Sequence, residues 1–194
     1  MFPDIAKDDV FTLETARLWL RWPRASDAAA IERYGSRWEV ARHTARIPHP
    51  YPKGSAERFI FAAREANALG RDLTLVLTLL SAPRVVVGAI SLERRGNDRL
   101  TLGYALAPEV WGKGLATEGV RAMVDTAFSL SEVSVIEASV HVTNPASLRV
   151  LEKAGFAHVG RGLRGAPARG AMVECEAFEF KRADWTARDC AEVA

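Results

Sequence analysis

The sequence is poor in the residues that build metal sites and disulfide scaffolds. It holds two cysteines, Cys175 and Cys190, and four histidines. The cysteines form no C-x-x-C pair, so neither a zinc ligand set nor a disulfide framework follows, and a reducing cytoplasm is the expected compartment. His43 and His49 are close in sequence, but their spacing matches no metal-ligand pattern and no cysteine lies near them. No run reaches about 18 consecutive apolar residues, which removes any candidate membrane helix. The opening MFPDIAKDDVF carries three aspartates and no long apolar stretch, so it does not read as a secretory signal. Excess charge is missing too. Lys and Arg number 26 against 24 Asp and Glu, and the resulting +2 is too small to imply nucleic-acid binding through the field alone.

What is present suits one globular domain with a real core: 194 residues, 48% of them hydrophobic and 26% charged. The expected domain covers 1–194, with a core over about 15–185 and loose termini at 1–12 and 186–194. RLWLRW alternates like a strand, with Leu18, Leu20 and Trp22 on one side, and Pro23 ends it. Ser26 offers an N-cap to a helix through DAAAIERYG, and Ser55 one to AERFIFAAREANALG, which Gly70 stops. Between them, SRWEVARHTARIPHPYP reads as a shaped loop after a short helical piece.

LTLVLTLL, RVVVGAISLE and LTLGYALA are three strands in succession, with a turn at Gly96–Asp98 before the last. LATEGVRAMVDTAFS has helical spacing, placing Val120, Met123, Val124 and Ala127 on one face. VSVIEASVHV is a strand. PASLRVLEKAG is a helix with Pro145 at its first position and Gly155 as its stop. FAHVGRG and MVECEAFEFKR read as a closing strand pair, joined by the Arg/Gly-rich segment GRGLRGAPARG as a flexible connection. This order implies a mixed, mostly antiparallel sheet of about six to seven strands covered by helices. It has too little βαβ alternation for a doubly wound Rossmann sheet.

The turn PEVWGKG joins a strand to a helix. Gly112 and Gly114 bracket Lys113 there. First-turn N–H groups of a helix lack internal partners and sit at its positive end, so small residues at that point admit an anion. The pattern is not a nucleotide P-loop, nor is it G-x-G-x-x-G, because Thr117 holds the third position. Alone, the two glycines suit simple punctuation equally well.

Together, LGYALAPEVWGKGLATEGV and NPASLRVLEKAGF resemble the GCN5-related N-acetyltransferase (GNAT) superfamily, and within it the ribosomal-protein N-terminal acetyltransferase branch with its small-molecule relatives. TARLWLR, IPHPYP, VVGAISL and FKRADW add weaker likeness, and the resemblance spans roughly 15–185. It implies the GNAT fold, with the sheet splayed between central strands, and acetyl-CoA as cosubstrate. The pyrophosphate would lie on the loop Val110, Trp111, Gly112, Lys113, Gly114, Leu115 and Ala116. The pantetheine would run along Leu106 and Ala107 and meet Asn144 and Ser147. The Leu106 N–H would hold the thioester oxygen.

The reaction implied is direct acetyl transfer to a primary amine, on a protein N-terminus or a small molecule. Such transfer needs a base for the amine and an acid for the leaving thiolate. Many members place a tyrosine in the second motif as the acid. The matching position here is Leu151, which donates no proton, so Ser147 is the chosen substitute, though serine suits a helix start in any case. Glu93 is the first choice of base and His141 the second. Tyr104 lines the cleft or serves as an ordinary strand tyrosine. His43, Ile47, His49 and Tyr51 would form the acceptor wall. The other class of function open to the chain is a non-catalytic acyl-CoA-binding or regulatory domain. Expected partners are the amine acceptor and a second copy in a homodimer, with no membrane and no direct nucleic-acid contact.

Overall fold

The computed structural model describes residues 11–96 and 98–192, without the side chains of 189–192. Residues 1–10 of the expected leader and Asn97 of the expected turn lie outside the described residues.

Eight strands form one sheet in the order β1-β2-β3-β4-β5-β6-β8-β7. They are β1 (Thr12–Glu14), β2 (Leu18–Arg21), β3 (Asp72–Leu79), β4 (Ala82–Arg95), β5 (Arg99–Leu106), β6 (Val135–His141), β7 (Ala157–Ala166) and β8 (Ala171–Lys181). All neighbours pair antiparallel except β5 and β6, which are parallel. The strand beyond the six or seven expected is β1, at three residues too short to show alternation in sequence. The helices are α1 (Ala28–Gly35), α2 (Trp38–Ala41), α3 (Ser55–Ala68), α4 (Leu115–Leu130), α5 (Pro145–Ala154) and α6 (Arg182–Glu192).

The two faces of the sheet bury separate clusters. One collects Leu18, Leu75, Leu100, Leu102 and Leu106 under Val120, Met123 and Val124 of α4, with Leu151 of α5. The other packs Ile31, Tyr34 and Ile60 of α1 and α3 over Val76 and Val86. The apolar stripe of α4 is the expected one: Val120, Met123, Val124 and Ala127 are all buried.

Four local expectations change. The start of α1 is organised by Asp27 rather than Ser26. Both Asp27 carboxylate oxygens meet Arg21 at 2.8 Å, and Oδ2 also accepts the Arg24 N–H at 2.7 Å. The cap position of α3 is Gly54 in the left-handed region, φ 78, and Ser55 accepts from Arg58 instead. The Arg/Gly segment is strand to Ala166, because pairing with β8 supplies what its composition does not, and only Pro167–Arg169 turns. The expected loose tail is helical through Glu192. Arg182 anchors its start on the carbonyls of Phe128 and Val133, and Trp185 donates to Asp125.

Candidate active site

The parallel pairing of β5 and β6 is short. It joins Arg99–Leu102 to Val135–Ala138 and goes no further. Beyond it, Gly103–Leu106 remain paired only to β4, and Ser139–His141 only to β8. The sheet therefore splits at its centre, leaving two facing strand edges with unsatisfied peptide groups, a form that accepts an extended ligand as an added strand.

The register decides which groups face the split. Leu106 sits opposite Gly88, and the Ala107 N–H donates to the Val87 carbonyl at 2.8 Å. Peptide directions alternate along a strand, so the Leu106 N–H points away from β4 and into the opening. The Leu106 carbonyl is already taken by the Trp111 indole N–H at 2.8 Å. The N–H is thus the free donor at the mouth of the split. Ala107, expected beside it as a cofactor contact, spends its N–H on β4.

The turn after β5 completes this end. Pro108–Val110 makes a single 3-10 turn, and Gly112 (φ 74) and Gly114 (φ 77) then take left-handed conformations before α4 begins. A Cβ at Gly112 would meet nothing within 4 Å, so the turn's outer surface is bare backbone. Gly114 is the residue before the first turn of α4, where the N–H groups lack helical acceptors. Both glycines are required by their backbone conformation; the approach is open at Gly112, whereas the Arg17 guanidinium lies 3.4 Å from where a Gly114 Cβ would stand. Lys113 does not face the cleft; its ammonium donates to the Glu109 carbonyl at 3.0 Å. The turn is tied to the first strands through Glu118. That carboxylate accepts from the Thr15 hydroxyl (2.6 Å) and the Arg17 N–H (2.8 Å) and pairs with the Arg17 guanidinium, which also reaches the Lys113 carbonyl at 2.7 Å. Burial alone would raise the Glu118 carboxyl; the bonds from Thr15 and Arg17 overcome it and hold the group below its ordinary value.

Asn144 accepts the Ser147 N–H at 3.2 Å and so caps α5. This places the Ser147 hydroxyl 2.6 Å from that of Tyr104 on β5. Burial pushes the Tyr104 phenol up to about 12, against a smaller lowering from Ser147. Tyr104 therefore keeps its proton throughout the neutral range, while Leu151 is fully buried in the core. Nothing local in the sequence links Tyr104 to Ser147, 43 residues away.

The cleft continues on the opposite face of the sheet. Residues paired across strands share a face, so Glu93 and Thr101, Ser139 and Ala177, His141 and Cys175, and Arg164 and Val173 form its floor. His43, Ile47 and Tyr51 line the wall of the same cleft. His49 does not; its ring packs 5.2 Å from that of Trp38. The cleft is open and runs to about 1610 Å³, beyond the roughly 300–1,000 Å³ usual for one small ligand.

The two candidate bases stand at different levels. Glu93 pairs with Thr101, five residues below Leu106, or roughly 16 Å along the strand. Both its oxygens are engaged by Arg46, with Arg95 at 3.9 Å. His141 lies three residues beyond Ala138, the partner of Leu102, and so stands across the split from Ala105 and Leu106. Its Nδ1 is 2.8 Å from the Thr143 hydroxyl and 3.2 Å from the Thr143 N–H.

Residues 17–157 match the family described as the Acetyltransferase (GNAT) domain. The N-acetyltransferase p20 of Bacillus licheniformis is 25% identical over 175 residues, covering 90% of this chain and 98% of that protein. N-acetyltransferase YoaA of Bacillus subtilis is 31% identical over 152 residues, 76% of this chain and 84% of that one. In fold, the ribosomal-protein-S5-alanine acetyltransferase of Vibrio fischeri superposes with TM-score 0.75 at 22% identity, over 90% of this chain and 98% of that one. With the split sheet, the bare glycine turn and this family match, the chain belongs to the GNAT acetyltransferase family and is an acetyl-CoA-dependent N-acetyltransferase.

Proposed function

We propose that acetyl-CoA lies in the split between β5 and β6 and passes its acetyl group directly to a primary amine held on the acceptor face, without a covalent enzyme intermediate. The observation that carries this is the Leu106 N–H, unpaired and turned into the split one short turn before Gly112 and Gly114. The pyrophosphate would rest on the backbone of Val110–Ala116 and the thioester oxygen on the Leu106 N–H, where a fixed donor stabilises developing negative charge. Tyr104 and Ser147 lie on the face opposite the acceptor, the side from which a leaving thiolate is protonated; Asn144 acts by holding Ser147. His141, across the split from Leu106, takes the proton of the amine. Glu93 serves by holding Arg46 over the chamber floor. The acceptor is a protein N-terminus or a small amine; the Vibrio fischeri neighbour, by its description, acts on a ribosomal-protein alanine. The proposed place of action is the cytoplasm; no described helix is long and apolar enough to cross a membrane.

Initial rates of thiol release, with acetyl-CoA and amine both varied, test the order of events. Direct transfer gives intersecting reciprocal plots; parallel lines would require an acetylated enzyme and defeat the proposal. Gly112→Glu and Gly112→Asn test the loop by calorimetry with CoA. Asparagine tolerates the left-handed conformation, so glutamate should weaken binding much further through its charge; equal affinity in wild type and both variants would remove the pyrophosphate from this turn.

A further inference from the structure

The charges of the acceptor chamber are unevenly satisfied. Its acids already have cations: Glu93 is held by Arg46, and Arg99 bridges Glu137 and Glu179. Arg164 and Arg169 have no such match, and neither has Arg42, which donates to His43 Nε2 at 3.0 Å. Arg164 of β7 reaches only the Ser139 hydroxyl (3.4 Å) and the Leu163 carbonyl (3.2 Å), and Arg169 donates to the Arg42 carbonyl (2.8 Å). Neither meets a carboxylate among the described residues. The cations that do pair on this hairpin lie on its other face, where Arg161 holds Glu174 and Glu176.

The Arg164 and Arg169 guanidiniums address the same space. Both line the same cleft as His43, His141 and Cys175, whose thiol burial pushes up, with Arg164 and Arg169 opposing. Arg169 also acts on His43, whose imidazole is pushed below its ordinary value by burial first, then by Arg42, His141 and Arg169. His43 therefore stays neutral at neutral pH, and its Nδ1 is buried without a partner. The turn carrying Arg169 is fixed over this end of the cleft, because the Ala168 N–H donates to the Ala45 carbonyl at 3.0 Å. Arg164 reaches across β8 to the hydroxyl of Ser139 on β6, two residues before His141.

We propose that the acceptor is a compact amine that also carries an anionic group, a carboxylate or a phosphate, which Arg164 and Arg169 hold while the amine lies beside His141. A guanidinium presents several N–H donors in a plane suited to either anion. A polyamine would meet the reverse arrangement: its surplus cation would face these two arginines while the chamber's acids are already taken. The inference rests on the acetyl-transfer reading given above.

The test uses the full chain and matched acceptors: an α-amino acid against its amide, O-phosphoethanolamine against ethanolamine, and spermidine. At least one anionic member should exceed its neutral counterpart in kcat/KM by roughly ten- to hundredfold, the scale of one charge-assisted hydrogen bond. Which pair responds distinguishes carboxylate from phosphate. In Arg164→Gln/Arg169→Gln the advantage should collapse through a raised KM for the acceptor, with CoA affinity retained. Arg161→Gln, the same charge change on the other face, should keep it. Preference for the amide, ethanolamine or spermidine overturns the proposal, as does an advantage that survives the double variant. A second measurement needs no turnover: acetate and inorganic phosphate titrated by calorimetry with CoA saturating, so that the pyrophosphate turn is filled. Wild type should bind one of them and the double variant neither; no binding in wild type, or equal binding in both, refutes the site. Failure of CoA binding and of thiol release with every amine would instead mark failure of the acetyl-transfer reading itself.

Discussion

Replacing Tyr104 by phenylalanine removes one oxygen and little else. The ring still fills its place beside the core, so the fold should tolerate the change. What disappears is a 2.6 Å hydrogen bond between two hydroxyls in a largely buried position. A hydrogen bond of this kind, once broken with one partner left in place, costs on the order of 1–3 kcal/mol. If the bond orients Ser147 toward the departing sulfur, that energy is felt in the transition state, and kcat should fall by roughly 5- to 150-fold at 1.4 kcal/mol per tenfold. CoA affinity should be unchanged, since the pyrophosphate turn is untouched. Ser147→Ala should give a similar loss, and the double variant little more than either single one, because residues acting as a unit are not additive. The phenol, pushed up to about 12 by burial, keeps its proton well past neutrality. Below that value its loss should lower the rate at every pH without moving a limb of the profile. Stopped-flow thiol release measures the chemical step directly. A kcat decrease under threefold in Tyr104→Phe, or strictly additive effects in the double variant, would show that the pair only packs the start of α5.

The base should reveal itself in the chemical step instead: His141→Gln should lower kcat by roughly 10²–10⁴-fold, whereas Glu93→Gln should leave kcat within a fewfold. The reverse order of losses would return the role to the carboxylate. Asp27→Ala would strand Arg21, 4% exposed, without its counter-ion; breaking such a pair costs about 3–5 kcal/mol, and urea unfolding that showed under 1 kcal/mol would contradict the burial argument. Glu118 is held below its ordinary value, so its contribution is complete above the unfolded-state value and is lost as pH falls through the folded one. The gap in thermal stability between wild type and Glu118→Gln should accordingly be full at neutral pH and close below about pH 4; a gap that widens on acidification would reverse the sign.

The parts of the site legible in the sequence are those written by neighbours along the chain. Asn144, Pro145 and Gly155 mark both ends of α5, and all three hold the positions their chemistry suggests. Gly112 and Gly114 announce a strand-to-helix turn for the same local reason. What the sequence concealed depends on register. The level of Glu93 against that of His141 follows from where β4, β5 and β6 are aligned, and no spacing within one strand reports it. Tyr104 and Ser147 meet through tertiary packing alone. In β7, glycine and arginine suppressed the strand signal, and pairing with β8 overrode a composition that reads locally as loop.

The two-residue alternation of β6, β7 and β8 has a consequence for how this enzyme can change. Ala138, Val140 and Phe178 point into the core, whereas Ser139, His141, Cys175 and Arg164 line the acceptor floor between them. Core packing and the cleft lining are therefore inscribed on interleaved positions of the same strands. A substitution at one set leaves the other in place, so floor residues of the cleft can be exchanged while the scaffold that holds the Leu106 N–H in the split stays intact.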